Sequence, residues 1–149
     1  MSNSLSKSLS KLRLSAQRLN QLTDQANKTI REVENFLNEE CSVGVFASVI
    51  VSEHNSEDDI FTLYTCLQYR RVGQRFRIAI ATGFDDGSEN ETVKPWSDSS
   101  RDEKLDSIAK LPDLVAQIGE KLDERIVNAE KGLGEVSEVL HGLSGKKGG

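Results

Sequence analysis

The chain has 149 residues, a net charge of −5, and only five Phe, two Tyr and one Trp. That length allows one domain with a modest, mainly aliphatic core, and the acidic balance argues against strong non-specific nucleic-acid binding over the whole surface. The longest apolar run, 43–51, is broken by Gly44 and Ser48 and is far too short to span a bilayer, so no membrane partner is expected.

The first quarter carries an unbroken seven-residue repeat. Leu9, Ala16, Thr23, Ile30 and Leu37 share one heptad position, and Leu5, Leu12, Leu19, Ala26 and Val33 share the position three residues later. The spacing predicts a helix from about residue 4 to 38, about 50 Å long, with a narrow apolar stripe. A stripe of that length outruns the core so small a chain can build. It implies a partner, a second copy of the chain being the simplest, with Leu5, Leu9, Leu12, Leu19, Ile30, Val33 and Leu37 as the oligomer interface. The alternative is an amphipathic helix lying on its own sheet. Leu22 and Phe36 lie off the stripe and are expected to pack on the domain body.

A first strand is expected over 41–52, apolar on both parities, then a polar turn over 54–59 and a second strand over 60–71. Val72, Gly73 and Gln74 form a short hairpin turn with Gly73 free to take positive φ. A third strand over 74–82 follows, and an acidic loop over 83–99 allows a short fourth strand near 91–94. Trp96 is expected to anchor that loop. Short connections make an antiparallel meander the economical topology. Ser100 and Glu103 have the spacing of a capping box. The following helix reaches Leu111, and Pro112 marks a kink or restart. Val115, Leu122, Ala129 and Val136, with Ile126, Leu133 and Leu140, form a second heptad-like seam, ended by His141 and Gly142. The reading is therefore a single α+β domain over 1–143, with long terminal helices paired in a homo-oligomer, and a disordered polar tail over 144–149.

No phosphate-binding glycine loop, nucleophile elbow or Cys-x-x-Cys pair is present. With two histidines, His54 and His141, a histidine-rich metal centre is excluded by count. His54 with Glu57, Asp58 and Asp59 offers a mixed metal site but reads as a solvated turn, and the spacing of Asp85, Asp86, Glu89 and Glu91 does not match a calcium loop, so neither metal nor cofactor is expected. Cys41 and Cys66 are expected as small buried hydrophobes. The first residues lack the continuous apolar core of a secretory leader, which makes the cytoplasm the expected setting.

Charge is unevenly distributed. Residues 1–31 hold six basic groups and one acidic, 32–62 hold eight acidic and none basic, and 63–82 hold four arginines and no carboxylate. Arg70, Arg71, Arg75 and Arg77, with Tyr69 beside them, form the candidate binding site. Four guanidinium groups around one hairpin need an anion or a carboxylate to compensate them. The compensation can come from this protein's own acidic groups, from an acidic partner protein, or from a nucleotide or nucleic-acid phosphate. The leading functional reading is a non-enzymatic, oligomer-forming interaction or adaptor domain. The alternatives are a small sensor of an anionic ligand, and a small enzyme with a site shared between subunits.

Overall fold

In a computed structural model, which describes residues 2–55, 57, 61–84 and 91–147, the heptad stripe becomes one continuous helix, α1 (Ser2–Asn35). Its last turn widens into a π-type turn, Phe36–Glu40, closed by Cys41 N–H donating to the Phe36 carbonyl at 3.1 Å. The chain then swings out through Ser42 and Gly44, both at positive φ. This excursion delays the first strand. It begins at Ala47, not at Cys41, and Cys41 is exposed on the turn, contrary to the buried position expected of it.

Four strands follow as a meander: β1 (Ala47–Asn55), β2 (Thr62–Val72), β3 (Arg75–Phe84) and β4 (Thr92–Pro95), neighbours in that order and all antiparallel. Gly73 adopts φ +68 in the two-residue turn between β2 and β3, the backbone state that the missing Cβ permits. The short fourth strand is present, pairing only with residues 79–82 of β3. The acidic groups at Asp58, Asp59, Asp85, Asp86 and Glu89 lie outside the described residues.

Trp96 begins a single 3-10 turn, Trp96–Asp98, and is buried as expected, its indole N–H donating to Ser107 Oγ at 3.0 Å. The capping box forms: Ser100 Oγ accepts from Glu103 N–H, and Glu103 Oε1 accepts from Ser100 N–H, opening α2 (Arg101–Ile108). After two turn residues the chain restarts as α3 (Leu111–Lys147), with Pro112 in the first turn, where its missing N–H costs nothing.

The core forms where one sheet face meets the helices. α1 packs on α2 and β3, and α3 packs on β1 and β2. Ala47, Leu67, Tyr69, Ile78 and Ile80 point from the sheet toward Ala26, Ile30 and Leu37 of the first helical segment and Leu111, Leu114 and Ile118 of α3. At the open edge of β1, Ser48 N–H donates to Gln117 Oε1 of α3 at 2.6 Å. A bulge between Ile50 and Ser52 shifts the register of that edge strand, which discourages pairing with another sheet.

Both long helices overrun this body. Every described side chain from 3 to 18 and from 123 to 144 is exposed. These arms are about 24 and 33 Å long. The heptad stripe of α1 thus divides: Ala26, Ile30 and Leu37 are core and Val33 packs against them, whereas Leu5, Leu9 and Leu12 stand 55–63% exposed. α3 divides likewise. Leu111, Leu114, Ile118 and Leu122 face the body, and Ile126, Leu133, Val136, Leu140 and Leu143 are uncovered. The two arms therefore do not cover one another within a chain. Three details differ from the sequence reading. Leu22 and Phe36 are 38% and 52% exposed instead of packing on the body. The helix does not end at His141 and Gly142 but continues through residues 144–147. No described helix is long and apolar enough to cross a membrane.

Candidate functional site

The hairpin separates the four arginines. Arg70 and Arg77 are cross-strand partners, and Arg75 lies two residues before Arg77, so these three share a sheet face. Arg71 pairs with Phe76 on the other face. Its guanidinium lies 5.4 Å from the Phe76 ring centre and donates to the Gln74 carbonyl at 3.2 Å. Tyr69 also lies on that second face. It is fully buried, its ring tilted against Phe76 at 5.2 Å between centroids and its hydroxyl donating to Asn38 Oδ1. Asn38 in turn donates to the Phe76 carbonyl at 2.8 Å. Burial pushes the Tyr69 phenol above its usual pKa. Tyr69 is thus a core residue and does not join the arginines.

Glu34 is what organises Arg75 and Arg77. β4 pairs only with residues 79–82, so the earlier part of β3 is an open edge. Glu34, from the last full turn of α1, fills that edge. Its Oε2 accepts from Ile78 N–H at 3.2 Å, and its Oε1 accepts from Arg75 Nη2 at 3.2 Å and Arg77 Nε at 3.4 Å. The Glu34 side chain is 8% exposed, while the arginine side chains are 63% and 28% exposed. Charge-assisted bonds to so buried an acceptor are stronger than surface ion pairs. Arg77 reaches further, with Nη2 donating to Ser97 Oγ at 3.1 Å. Arg70 is held separately, donating to Gln68 Oε1 at 3.0 Å, 3.6 Å from Glu91 and 5.9 Å above the Phe46 ring.

Beside Glu34 opens a groove of about 380 Å³. α1 supplies Asn27, Ile30, Arg31, Glu34 and Asn35, spaced so that they share one helical face. β3 supplies Arg75 and Arg77, the 3-10 turn supplies Trp96 and Ser97, and α2 supplies Lys104. Ile30 and Trp96 are buried, at 4% and 1% exposure, and make an apolar floor. Lys104 Nζ sits 5.2 Å from the Trp96 ring centre. Arg31 has no hydrogen bond, ion pair or ring contact among the described residues. The groove thus gathers four cations around one carboxylate. Arg75 and Arg77 were visible in the sequence as candidates. Arg31, Lys104, Ser97 and Glu34 were not, because they lie up to 73 residues apart in the chain.

A second, shallower hollow lies on the face that carries Cys66, between Ile50, Tyr64, Ala81, Phe84 and Glu91. Cys66 lines it, its thiol raised in pKa by burial and partly lowered by a hydrogen bond with Ser48. Both cysteines are free. Among the described residues no cluster of His, Cys, Asp or Glu is grouped to hold a metal ion.

No family model matches this chain, and no curated protein or solved structure matches it.

Proposed function

We propose that the protein is a non-enzymatic interaction module that closes a homodimer through its two helical arms, the amino-terminal arm of one copy lying on the carboxy-terminal arm of the other. The observation that carries this reading is the continuation of both core stripes past the body, onto arms that no described residue covers. A heptad stripe drifts only about 20° per repeat on a straight helix, so on each arm it faces roughly where the core faces.

Charge selects the pairing. Residues 3–18 carry Lys7, Lys11, Arg13 and Arg18 and no acidic group, whereas residues 123–144 carry five carboxylates and two basic groups. Two amino-terminal arms repel each other, and so do two carboxy-terminal arms, but one of each attracts. A two-fold axis makes the contact reciprocal and closes it as a four-helix arrangement. Propensity points the same way. Gly132, Gly134 and Gly142 each cost about 1 kcal/mol relative to Ala in an isolated helix, so a freely solvated arm of that composition would fray. Free thiols on both cysteines suit a reducing, cytoplasmic setting.

Charge exchange between the arms tests the pairing. The variant Lys7→Glu/Lys11→Glu/Arg13→Glu should be monomeric, and so should Glu130→Lys/Glu135→Lys/Glu138→Lys. Mixed in equal amounts, the two should form a heterodimer in which both arm contacts pair an acidic arm with a basic one. The six-fold variant should recover the parent's dimer. Dimers unaffected by either triple variant would contradict arm pairing.

A further inference from the structure

We propose that the groove between α1, β3 and the Trp96 turn is a binding site for a small phosphate monoester. This proposal is independent of the dimer reading, because the groove is built entirely within one chain.

Charge balance favours a doubly charged anion. Arg31, Arg75, Arg77 and Lys104 line the groove against the single carboxylate of Glu34. Three positive charges are left over, and Arg31 and Lys104 have no acidic partner among the described residues. A monocarboxylate would offset one of these charges; a phosphate monoester, near −2 at neutral pH, offsets two. Donor geometry agrees. Each guanidinium presents five N–H donors in a planar fork, and Glu34 engages only one nitrogen of Arg75 and one of Arg77. The remaining donors, together with Asn27, Asn35 and Lys104, exceed what two carboxylate oxygens accept and suit three phosphate oxygens. Glu34 also fixes both arginines before any ligand arrives, which lowers the ordering cost of binding.

Size and composition set the rest of the ligand. A groove of about 380 Å³ holds a phosphate with a sugar-sized body. Ile30 and Trp96 give that body an apolar floor. A polynucleotide is the poorer occupant, since the basic patch is local on a chain of net charge −5.

Isothermal titration of the full chain with ribose 5-phosphate, inorganic phosphate and acetate tests the site. Ribose 5-phosphate should bind saturably, more tightly than inorganic phosphate, and acetate should not bind measurably. Arg31→Ala/Lys104→Ala changes partly solvated positions that leave the core untouched, and should weaken ribose 5-phosphate at least tenfold with an unchanged circular dichroism spectrum. Absence of saturable binding, equal binding of acetate, or an unaltered affinity in the Arg31/Lys104 variant would each overturn the proposal. A ten-nucleotide RNA that binds more tightly than ribose 5-phosphate would overturn the small-molecule assignment.

Discussion

Replacing Glu34 with Gln keeps the shape of the side chain and removes the charge that joins α1 to the open edge of β3. The amide oxygen can still accept from Ile78 N–H, but the amide nitrogen becomes a donor facing two guanidinium groups. A net contribution of about 1.5–3 kcal/mol is typical for a hydrogen bond to a charged group. The Arg75 bond counts for little of that, since its side chain is 63% exposed and solvent screens it. The Arg77 bond and the backbone bond act on a carboxylate whose side chain is 8% exposed. The expected loss is about 2–3 kcal/mol. With a urea m-value of about 1.5–2 kcal/mol/M for a chain of this size, the unfolding midpoint should fall by about 1–2 M. The assay is urea unfolding followed by circular dichroism, with parent and variant at equal protein concentration because any self-association adds to stability. Repeating it in 1 M salt separates the two kinds of bond: a buried carboxylate is screened little, so most of the difference should survive. A midpoint shift below about 0.3 M, or one that vanishes in salt, would show that Glu34 is only a surface counter-ion and that the account of the β3 edge is wrong.

Other consequences follow from single contacts. Ser107→Ala strands the buried indole N–H of Trp96 and should cost about 1–2 kcal/mol, read as a drop in melting temperature of several degrees; an unchanged melting temperature would deny the anchor its role. The Glu103 carboxyl is held below its usual pKa of 4.5, chiefly by the Ser100 backbone N–H. Its contribution is therefore complete above the ordinary carboxylate range and is lost as pH falls through the lowered folded value. The stability gap between parent and Glu103→Gln should shrink on acidification from pH 6 to pH 3, and a gap that widens would refute the assignment. Iodoacetamide should modify exposed Cys41 before Cys66, whose thiol is partly buried and raised in pKa; the reverse order, followed by mass spectrometry, would contradict the burial described.

The elements that were legible in the sequence are those whose signal is local. The alternation of Phe76, Ile78 and Ile80 defines β3, Gly73 the hairpin, Ser100 and Glu103 the cap, and Pro112 the restart of α3. The heptad of α1 was legible as a stripe, but a period does not say where the body beneath it ends. Hence Ile30 and Leu37 read like Leu5 and Leu12, though the first two are core and the others are uncovered. In α3 the sequence offered Val115 as a seam residue, whereas Leu114 and Ile118 take the core and Val115 is 40% exposed. Adjacent apolar residues on a helix leave such a choice to the tertiary fold. Cys41 was misplaced because apolar neighbours suggested an early strand, while Ser42 and Gly44 at positive φ carry the backbone outward first. For the site, the excess of arginine in the hairpin was visible, and so was the need for a counter-charge. Its source was not. Glu34 lies 41 and 43 residues before Arg75 and Arg77, and only the packing of α1 on β3 brings it there.

The central claim is that the uncovered stripes of the two arms find each other in a second copy. Burying Leu12, now 63% exposed, is worth about 1.5–2 kcal/mol per copy. Leu12→Glu therefore removes that much at each of two sites, which is two to three decades in dissociation constant before counting the buried charge. The most direct measurement is the mass of the parent protein in solution by sedimentation equilibrium at micromolar concentration, a method indifferent to the elongated shape of the arms. The account predicts twice the chain mass of 16.5 kDa for the parent, and the single-chain mass for Leu12→Glu. A parent that sediments at the single-chain mass across the micromolar range would contradict it.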